Sequence, residues 1–371
     1  MGNQSYVDRR PDGIPCPAKK TKDKSCAFWQ PPHTGMIISR TPFRISFFGG
    51  GSDYPAWSRE HGGAVLATAI DKYCYLTCRY LPPFFEHRFR ILYSKIENVH
   101  SVGEIEHPAV RGALQELAIQ RGVEIHHDGD LPARSGMGSS SSFAVGILHA
   151  LHALEGRMRS KEQLAAEAIR LEQEVLNETV GSQDQIAAAF GGFNAVRFLP
   201  DGTFSVHPVF MPEMRMQEFK SHLMLFFTGI SRFSSDVAST FVGSLTDQTA
   251  SINRFVEMVD EGLDILSRGK IEDFGHLLDE AWRIKRSLSS AVSTTAVDEA
   301  YALARAAGAL GGKLLGAGGG GFLLVFAPPE RRRRVEKALS HFLHVPFDFE
   351  PSGSQIVLYD PEQDYSELDT R

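Results

Sequence analysis

The sequence has few cysteines, no excess of basic residues and no long apolar run. Four cysteines in 371 residues are too few to hold together a disulfide scaffold. The formal net charge of −6 offers no general attraction for a polyanion, which argues against nucleic acid and anionic membranes as partners. No apolar run reaches the roughly 20 residues of a transmembrane helix, which excludes a membrane-spanning protein. The 42% of hydrophobic residues can build cores, and the length suggests two domains.

Residues 1–35 differ in composition from the rest of the chain. They are rich in Pro, Lys and polar residues, and they contain no apolar stretch of the roughly 7–15 residues that a signal peptide needs. We expect a disordered leader, or an upstream start codon with Met36 as the natural start, and a cytoplasmic protein. Outside this segment, Cys74 and Cys78 share one face of a predicted strand and are expected to be buried free thiols.

The body of the chain mixes strands and helices without a steady alternation, which favours an α+β fold over a doubly wound sheet. IISRTPFRISFF is predicted to open the body as a strand, and GGAVLATAI and KYCYLTCRY as two further strands. Ser160 and Gln163 have the spacing of a capping box, which predicts a helix beginning there. A second unit begins near residue 210, so we predict domains at 36–208 and 209–371, with the strand QIVLY closing the second.

The segment LPARSGMGSSSSFAVG, residues 131–146, is a glycine- and serine-rich loop that leads into an apolar helix. Gly136 and Gly138 allow backbone angles closed to other residues and let a ligand approach the backbone closely. The first turn of a helix has unbonded N–H groups and a partial positive charge, so this junction suits phosphate oxygens. The segment lacks the lysine of a Walker A loop and the spacing of a dinucleotide fingerprint. A flexible turn before a helix is the alternative interpretation.

Two further glycine clusters occur, in KLLGAGGGGFLLVF and in RTPFRISFFGGGSDYP. The first contains Gly316 and residues 318–321, and ordering this run is costly in entropy unless something must lie against bare backbone. The second places Arg44 on a strand and Asp53 just beyond the glycines, where a carboxylate suits hydrogen bonds from ligand hydroxyls. A loose turn is the alternative for the first cluster. For Arg44 and Asp53 the alternatives are a surface charge and a turn residue.

An acidic pair lies in RLEQEVLNETVGSQDQIAAAFGG. Glu172 comes late on the capped helix and Asp184 follows a short loop, so one carboxylate can hold a cation while the other faces a substrate. The alternative is ordinary carboxylates on an amphipathic helix and its loop, and Glu174 competes with Glu172 for any such role.

Together these segments resemble the three ordered motifs of the GHMP kinases, the superfamily named for galactokinase, homoserine kinase, mevalonate kinase and phosphomevalonate kinase. PFRISFFGGGSDY is similar to the first motif, PARSGMGSSSS to the second and KLLGAGGGGF to the third. The resemblance implies an α+β fold of two domains: an N-terminal domain like ribosomal protein S5 domain 2, and a ferredoxin-like C-terminal domain. It also implies phosphoryl transfer from ATP with Mg²⁺ as cofactor.

The resemblance implies a role for each matching residue. Asp184 is expected to orient or deprotonate the attacking hydroxyl, with Arg44 as its basic partner. Ser140 and Glu172 are expected to hold magnesium. The residues expected to bind ATP are Pro132, Ser135, Gly136, Met137, Gly138, Ser139, Ser140, Ser141, Gly318, Gly319 and Gly320. Those expected to bind the substrate are Gly50, Gly51, Ser52 and Asp53.

The first motif departs from that of the galactokinases, which carry G-E-H-T-D-Y where this chain has GGGSDY at residues 49–54. FGGGSD, with GGAVLATAIDKY and FFTGISR, is similar to the D-glycero-D-manno-heptose 7-phosphate kinases. That resemblance implies transfer to an anomeric hydroxyl, on the way to nucleotide-activated heptose for surface glycans. Arg232, Arg283 and Lys285 are candidate cations for a substrate phosphate, and a solvated helix charge is the alternative for each.

Three classes of function follow from the resemblance. The first is a kinase of an anomeric sugar or sugar-phosphate hydroxyl, and the second is a kinase of the same superfamily that acts on another sugar or a non-sugar alcohol. The third is a non-catalytic sugar sensor. In each case we expect a small-molecule ligand, no nucleic acid and no membrane, and the sequence leaves a homodimer open.

Overall fold

The computed structural model describes residues 35–229, 248–289 and 291–360. The expected leader therefore lies outside the described residues except for Gly35, and so does the candidate cation Arg232. The described ranges contain two β-sheets with helices packed on them. This mixture confirms the predicted α+β class.

The first sheet has eight strands. They are β1 (Met36–Phe48), β2 (Gly63–Tyr80), β3 (Phe89–Leu92), β4 (Ile96–Val99), β5 (Val123–Gly129), β6 (Phe193–Phe198), β7 (Phe204–Pro208) and β12 (Gln355–Asp360). The order is β12-β1-β2-β5-β3-β4, with β6 beside β2 and β7 beside β6. β2 is one strand of 18 residues where the sequence predicted two. Its first half pairs with β6 and its second half with β5, so both predicted segments are extended but continuous.

β12 lies at one edge of this first sheet, antiparallel to β1, with Met36 opposite Asp360 and Arg40 opposite Gln355. The expectation that QIVLY closes the second domain was therefore wrong. An alternating pattern predicts a strand but does not name its partner, and here the partner is more than 300 residues away along the chain. The bounds 36–208 and 209–371 stay a prediction, with β12 paired outside the range to which it was assigned.

The second sheet consists of β8 (Leu223–Phe227), β9 (Gly311–Leu314), β10 (Phe322–Phe326) and β11 (Leu343–His344), in the antiparallel order β11-β8-β10-β9. Both faces of β10 are buried. Leu324 and Phe326 belong to a core shared with the first sheet, whereas Leu323 and Val325 belong to a smaller core on the opposite face. The alternation of side chains across a strand explains how five consecutive apolar residues serve two cores.

The helices described are α1 (Pro55–His61), α2 (Pro108–Glu116), α3 (Ser139–Leu154), α4 (Lys161–Arg170), α5 (Gln183–Phe190), α6 (Glu213–His222), α7 (Thr249–Arg268), α8 (Ile271–Leu288), α9 (Thr295–Ala306) and α10 (Arg332–Ala338). The predicted capping box of α4 is confirmed: Gln163 N donates to Ser160 Oγ at 3.2 Å, and Ser160 N donates to Gln163 Oε1 at 2.9 Å. No helix in the described ranges is long and apolar enough to cross a membrane.

The shared core joins the two sheets through aromatic side chains. Phe47 of β1 packs edge-on against Phe193, Phe219 and Phe274, with ring centroids 5.4–5.8 Å apart. Such contacts add to the free energy gained by burying apolar area. They fix the end of β1 against α8, which carries Phe274, and so set the position of the cavity described next. Cys74 is also buried in this core as a free thiol, as predicted.

Candidate active site

The three glycine-rich segments of the sequence meet at one cavity of about 180 Å³. Its wall includes residues 49–51, 138–141 and 316–317, together with Gly136. These segments are far apart in sequence, and the close packing of the two sheets brings them together. Of the predicted site residues, the cavity wall contains Arg44, Gly50, Gly51, Asp53, Gly136, Gly138, Ser139, Ser140, Ser141 and Asp184.

The loop before α3 has the geometry of an anion site. Gly136 and Gly138 have φ values of +81° and +73°, in the left-handed region that favours glycine. Gly138 is the N-cap of α3, and no side chain caps this helix terminus. The N–H groups of the first turn, in residues 139–141, therefore remain available to an acceptor at the cavity wall.

Three other predicted ATP-binding residues belong to this loop but do not line the cavity. Met137 is fully buried in the shared core. Ser135 is buried, and its hydroxyl donates to the Pro132 carbonyl at 2.7 Å. The structure does not bring Pro132, Ser135 or Met137 to the cavity wall. Their contacts indicate that they hold the backbone of the loop in place.

The glycine cluster of the third motif packs against the loop of the second motif. A Cβ added at Gly316 would lie 2.4 Å from Gly136 Cα, and one added at Gly136 would lie 2.5 Å from the Leu315 carbonyl oxygen. Bare backbone is therefore required on both sides of this contact. Gly318 and Gly319 lie beside Val292, whose carbonyl accepts a hydrogen bond from Gly319 N at 3.0 Å. The structure places Gly316 at the cavity wall, and does not place Gly318, Gly319 or Gly320 there.

Arg44 and Asp184 form a bidentate ion pair across 140 residues of sequence. Arg44 Nε donates to Asp184 Oδ1 at 2.7 Å and Arg44 Nη2 donates to Asp184 Oδ2 at 2.6 Å. The third nitrogen, Nη1, donates to the Gly136 carbonyl at 2.6 Å. Arg44 is buried, whereas the side chain of Asp184 keeps 23% exposure towards the cavity. The two predicted catalytic residues are thus together, and they are tied to the candidate phosphate loop.

Asp53 lies at the same cavity, only 1% exposed. Its carboxylate accepts hydrogen bonds from Gly51 N at 3.0 Å and from both Gln183 N and Gln183 Nε2 at 3.2 Å. Burial raises its pKa above the ordinary value, and the nearby charge of Asp184 adds to this effect. Gly181 is required beside it, because an added Cβ would lie 1.9 Å from Asp53 Oδ2.

The Ser52 side chain forms hydrogen bonds with the backbone and does not line the cavity. It is fully buried; its single hydroxyl hydrogen is shared between the carbonyls of Gly49 at 2.8 Å and Ala64 at 3.0 Å, and its oxygen accepts from Ala64 N at 3.1 Å. The one donor of this hydroxyl is thus used in bonds to the backbone. The predicted substrate residue Ser52 therefore stabilises the turn that presents Asp53.

Glu172 lies in a single π-helical turn, Leu171–Val175, that continues α4. Its Oε2 accepts hydrogen bonds from Ser141 Oγ at 2.7 Å and from Gln185 Nε2 at 2.6 Å. Its Oε1 is buried and has no hydrogen-bond partner among the residues described. Burial raises the pKa of Glu172 to about 7, against the hydrogen bond from Ser141 that lowers it. Glu174, the competing carboxylate, is exposed.

Two lysines complete the cavity wall, one expected and one missed. Lys285 of α8 donates to the Leu314 carbonyl at 3.3 Å and also to the Gly316 carbonyl. Lys313 of β9 is buried and donates to the Phe47 carbonyl at 2.8 Å. The candidate Arg283 is exposed, pairs with Asp279 at 3.1 Å and does not line the cavity. A lysine within the apolar strand GGKLL was the available signal for Lys313.

Comparison with known proteins agrees with this geometry. The family description GHMP kinases N terminal domain matches residues 106–192, and GHMP kinases C terminal matches residues 263–345. A D-glycero-alpha-D-manno-heptose 7-phosphate kinase of Campylobacter jejuni is 28% identical over 76% of this chain and 86% of its own. A galactokinase of Pyrococcus furiosus is 27% identical over the same shares.

Solved structures show the same fold. The crystal structure of a D-glycero-D-manno-heptose 1-phosphate kinase from Bacteroides thetaiotaomicron matches with a TM-score of 0.71 and 26% identity, over 86% of this chain and 98% of that one. The chain therefore contains the N-terminal and C-terminal domains of the GHMP kinases, has their two-domain fold, and is an ATP-dependent kinase, as its motifs predicted.

Proposed function

We propose that this protein transfers the γ-phosphoryl group of ATP to the anomeric hydroxyl of a sugar phosphate, D-glycero-D-manno-heptose 7-phosphate being the first candidate. The supporting observation is the Arg44–Asp184 pair beside the N-terminus of α3, in a cavity that also presents Asp53 and two lysines. The heptose kinase of Campylobacter jejuni supports the choice of acceptor. The product, a sugar 1-phosphate, would be a substrate for nucleotidyl transfer towards surface glycans.

In this proposal each group at the cavity has a distinct task. The backbone N–H groups at the start of α3 bind phosphate oxygens, and Asp184 accepts a hydrogen bond from the acceptor hydroxyl and aligns it. Arg44 holds the Asp184 carboxylate in place through its two hydrogen bonds. Asp53 binds a hydroxyl of the sugar. Positioning and charge neutralisation account for most catalysis of phosphoryl transfer, which fits a site built of such groups.

The residues near Glu172 fit a magnesium ion. Glu172 Oε1 is a buried oxygen with no described partner, and Ser140 lies close enough to lower the pKa of this carboxyl group. Oxygen donors of this kind are the ligands that Mg²⁺ prefers, and the ion usually keeps several waters. Ser140 and Glu172 would hold the metal, with Ser141 orienting the carboxylate. When bound, magnesium neutralises negative charge on the phosphates of ATP.

Replacing Ser140 by alanine is expected to raise the magnesium concentration required for half-maximal activity by about tenfold, because one oxygen ligand is lost. Titration of activity with magnesium at saturating ATP measures this shift. The matched control is Ser142→Ala in the same helix turn, whose hydroxyl donates to the Pro42 carbonyl at 2.9 Å away from the cavity. Equal magnesium curves for Ser140→Ala and Ser142→Ala would assign the ligand role to another residue.

The acceptor is tested with a panel of sugars, sugar phosphates and mevalonate in the presence of ATP. ADP release measures turnover, and phosphorus NMR of the product locates the new phosphate. We expect the highest kcat/KM with heptose 7-phosphate and phosphorylation at its anomeric oxygen. Turnover of mevalonate, without turnover of any aldose, would instead indicate that the acceptor is a non-sugar alcohol. Tight sugar binding without turnover would indicate a sensor.

A further inference from the structure

Two of the cationic side chains in the cavity, Lys285 and Lys313, have no carboxylate partner within the described part of the chain. Arg44 is neutralised by Asp184, and Arg134 also lines the cavity. Lys313 Nζ donates to the Phe47 carbonyl, and Lys285 Nζ donates to two carbonyls of the third motif. An ammonium group has three N–H donors, so both lysines retain donors that these carbonyls do not use. The two side chains therefore form a positive wall with capacity for a further acceptor.

This arrangement is costly in the absence of an anion. A buried ammonium group loses its hydration, and a carbonyl oxygen compensates only in part. Burial lowers the pKa of Lys285 to about 8, and it lowers the pKa of Lys313 well below its usual range, with repulsion from Lys285 and Arg44 contributing. An anionic group placed between the two lysines would offset both penalties.

The phosphates of ATP have other positive partners in this cavity. The N-terminus of α3 lies at the second motif, and so does the proposed magnesium site at Ser140 and Glu172. Lys313 instead bonds to the carbonyl of Phe47, which directly precedes the FGGG turn leading to Asp53, the proposed sugar-binding residue. Lys313 is thus on the acceptor side of the cavity. A phosphate ester carries a charge of about −1.5 to −2 near neutral pH, which matches a pair of lysines.

We infer that Lys313, together with Lys285, binds the phosphate group that the acceptor already carries, and thereby selects phosphorylated sugars over free sugars. The inference rests on the proposed function, because it assigns a selectivity to the same acceptor site. It gives a reason for a buried lysine in β9 that the transfer step itself does not require. Removing the charge of Lys313 is expected to weaken binding of the phosphorylated acceptor far more than binding of the free sugar or of ATP.

The experiment compares kcat/KM for heptose 7-phosphate and for free heptose in the wild type, Lys313→Met, Lys285→Met and Lys313→Arg. We expect the preference for the phosphorylated sugar to fall at least about tenfold in Lys313→Met, with the KM for ATP within about twofold of the wild type. Lys313→Arg keeps the charge and is expected to keep most of the preference. The matched control is Lys161→Met, since Lys161 donates to the Phe190 carbonyl on the surface.

A rise in the KM for ATP with an unchanged preference would overturn the inference and assign the lysines to the γ-phosphate. A thermal melt confirms folding; Lys313→Met is expected to melt no lower than the wild type, because it removes a desolvated charge. If the wild type uses neither heptose compound, the proposed acceptor fails. The inference is then tested with inorganic phosphate, whose stabilisation of the wild type must be lost in Lys313→Met and kept in Lys161→Met; equal shifts would refute it.

Discussion

Replacing Asp184 by alanine is expected to reduce kcat by about 10²–10⁴-fold while ATP affinity changes by less than about threefold. Asp184 is the carboxylate at the cavity wall that Arg44 fixes with two hydrogen bonds, and its remaining exposure faces the cavity. The variant loses the group that aligns the acceptor hydroxyl. It keeps the α3 terminus and the glycines of the loop, which carry the proposed contacts to ATP.

Single-turnover kinetics measure the transfer step, and fluorescence titration with a labelled nucleotide measures ATP binding separately. Asp184→Asn is the conservative companion, because it preserves the volume and removes the charge. Glu174→Gln serves as the matched control, since Glu174 is an exposed carboxylate in the segment that precedes Asp184. Wild-type turnover in Asp184→Ala would refute the role assigned here. An equal loss of ATP binding would show that Asp184 acts on the nucleotide instead.

The Arg44–Asp184 pair shows how far the sequence could predict the site. Neither spacing nor periodicity joins two residues 140 positions apart, and each one alone was compatible with an ordinary surface charge. The resemblance of three ordered motifs supplied the pairing, and the structure brings the two side chains within hydrogen-bond distance. Local signals were sufficient elsewhere: the Ser160–Gln163 capping box depends on four neighbouring residues and was predicted from them alone.

Ser52 and Met137 show where this reasoning reaches its limit. Both lie inside matching motifs, but the direction of a side chain in an irregular loop depends on tertiary packing. Ser52 turns its hydroxyl to the backbone and Met137 enters the core. Lys313 was missed as a site residue, because its contact with the Phe47 carbonyl is made across 266 residues. Long-range pairing explains why Lys313 and the partner of β12 were missed.

The contact between the second and third motifs predicts a large effect of Gly316→Ala. The added Cβ would lie 2.4 Å from Gly136 Cα, and Gly316 has a φ of +72°. The substitution combines left-handed strain with overpacking against backbone, so we expect a loss of roughly 3–5 kcal/mol in the free energy of unfolding. Because Gly136 also accepts the third hydrogen bond of Arg44, we expect the surviving folded fraction to lose catalytic efficiency as well.

Gly156→Ala separates the two contributions to this effect. Gly156 has a similar φ of +66°, but an added Cβ there meets no atom within 4 Å. This control therefore carries left-handed strain alone, about 1–2 kcal/mol, and should leave kcat/KM unchanged. Urea denaturation of both variants measures the difference. If Gly316→Ala lowers the free energy of unfolding no more than Gly156→Ala does, the two motifs are not in the close contact described. The phosphate loop is then held by Arg44 and by the packing of Met137 in the shared core.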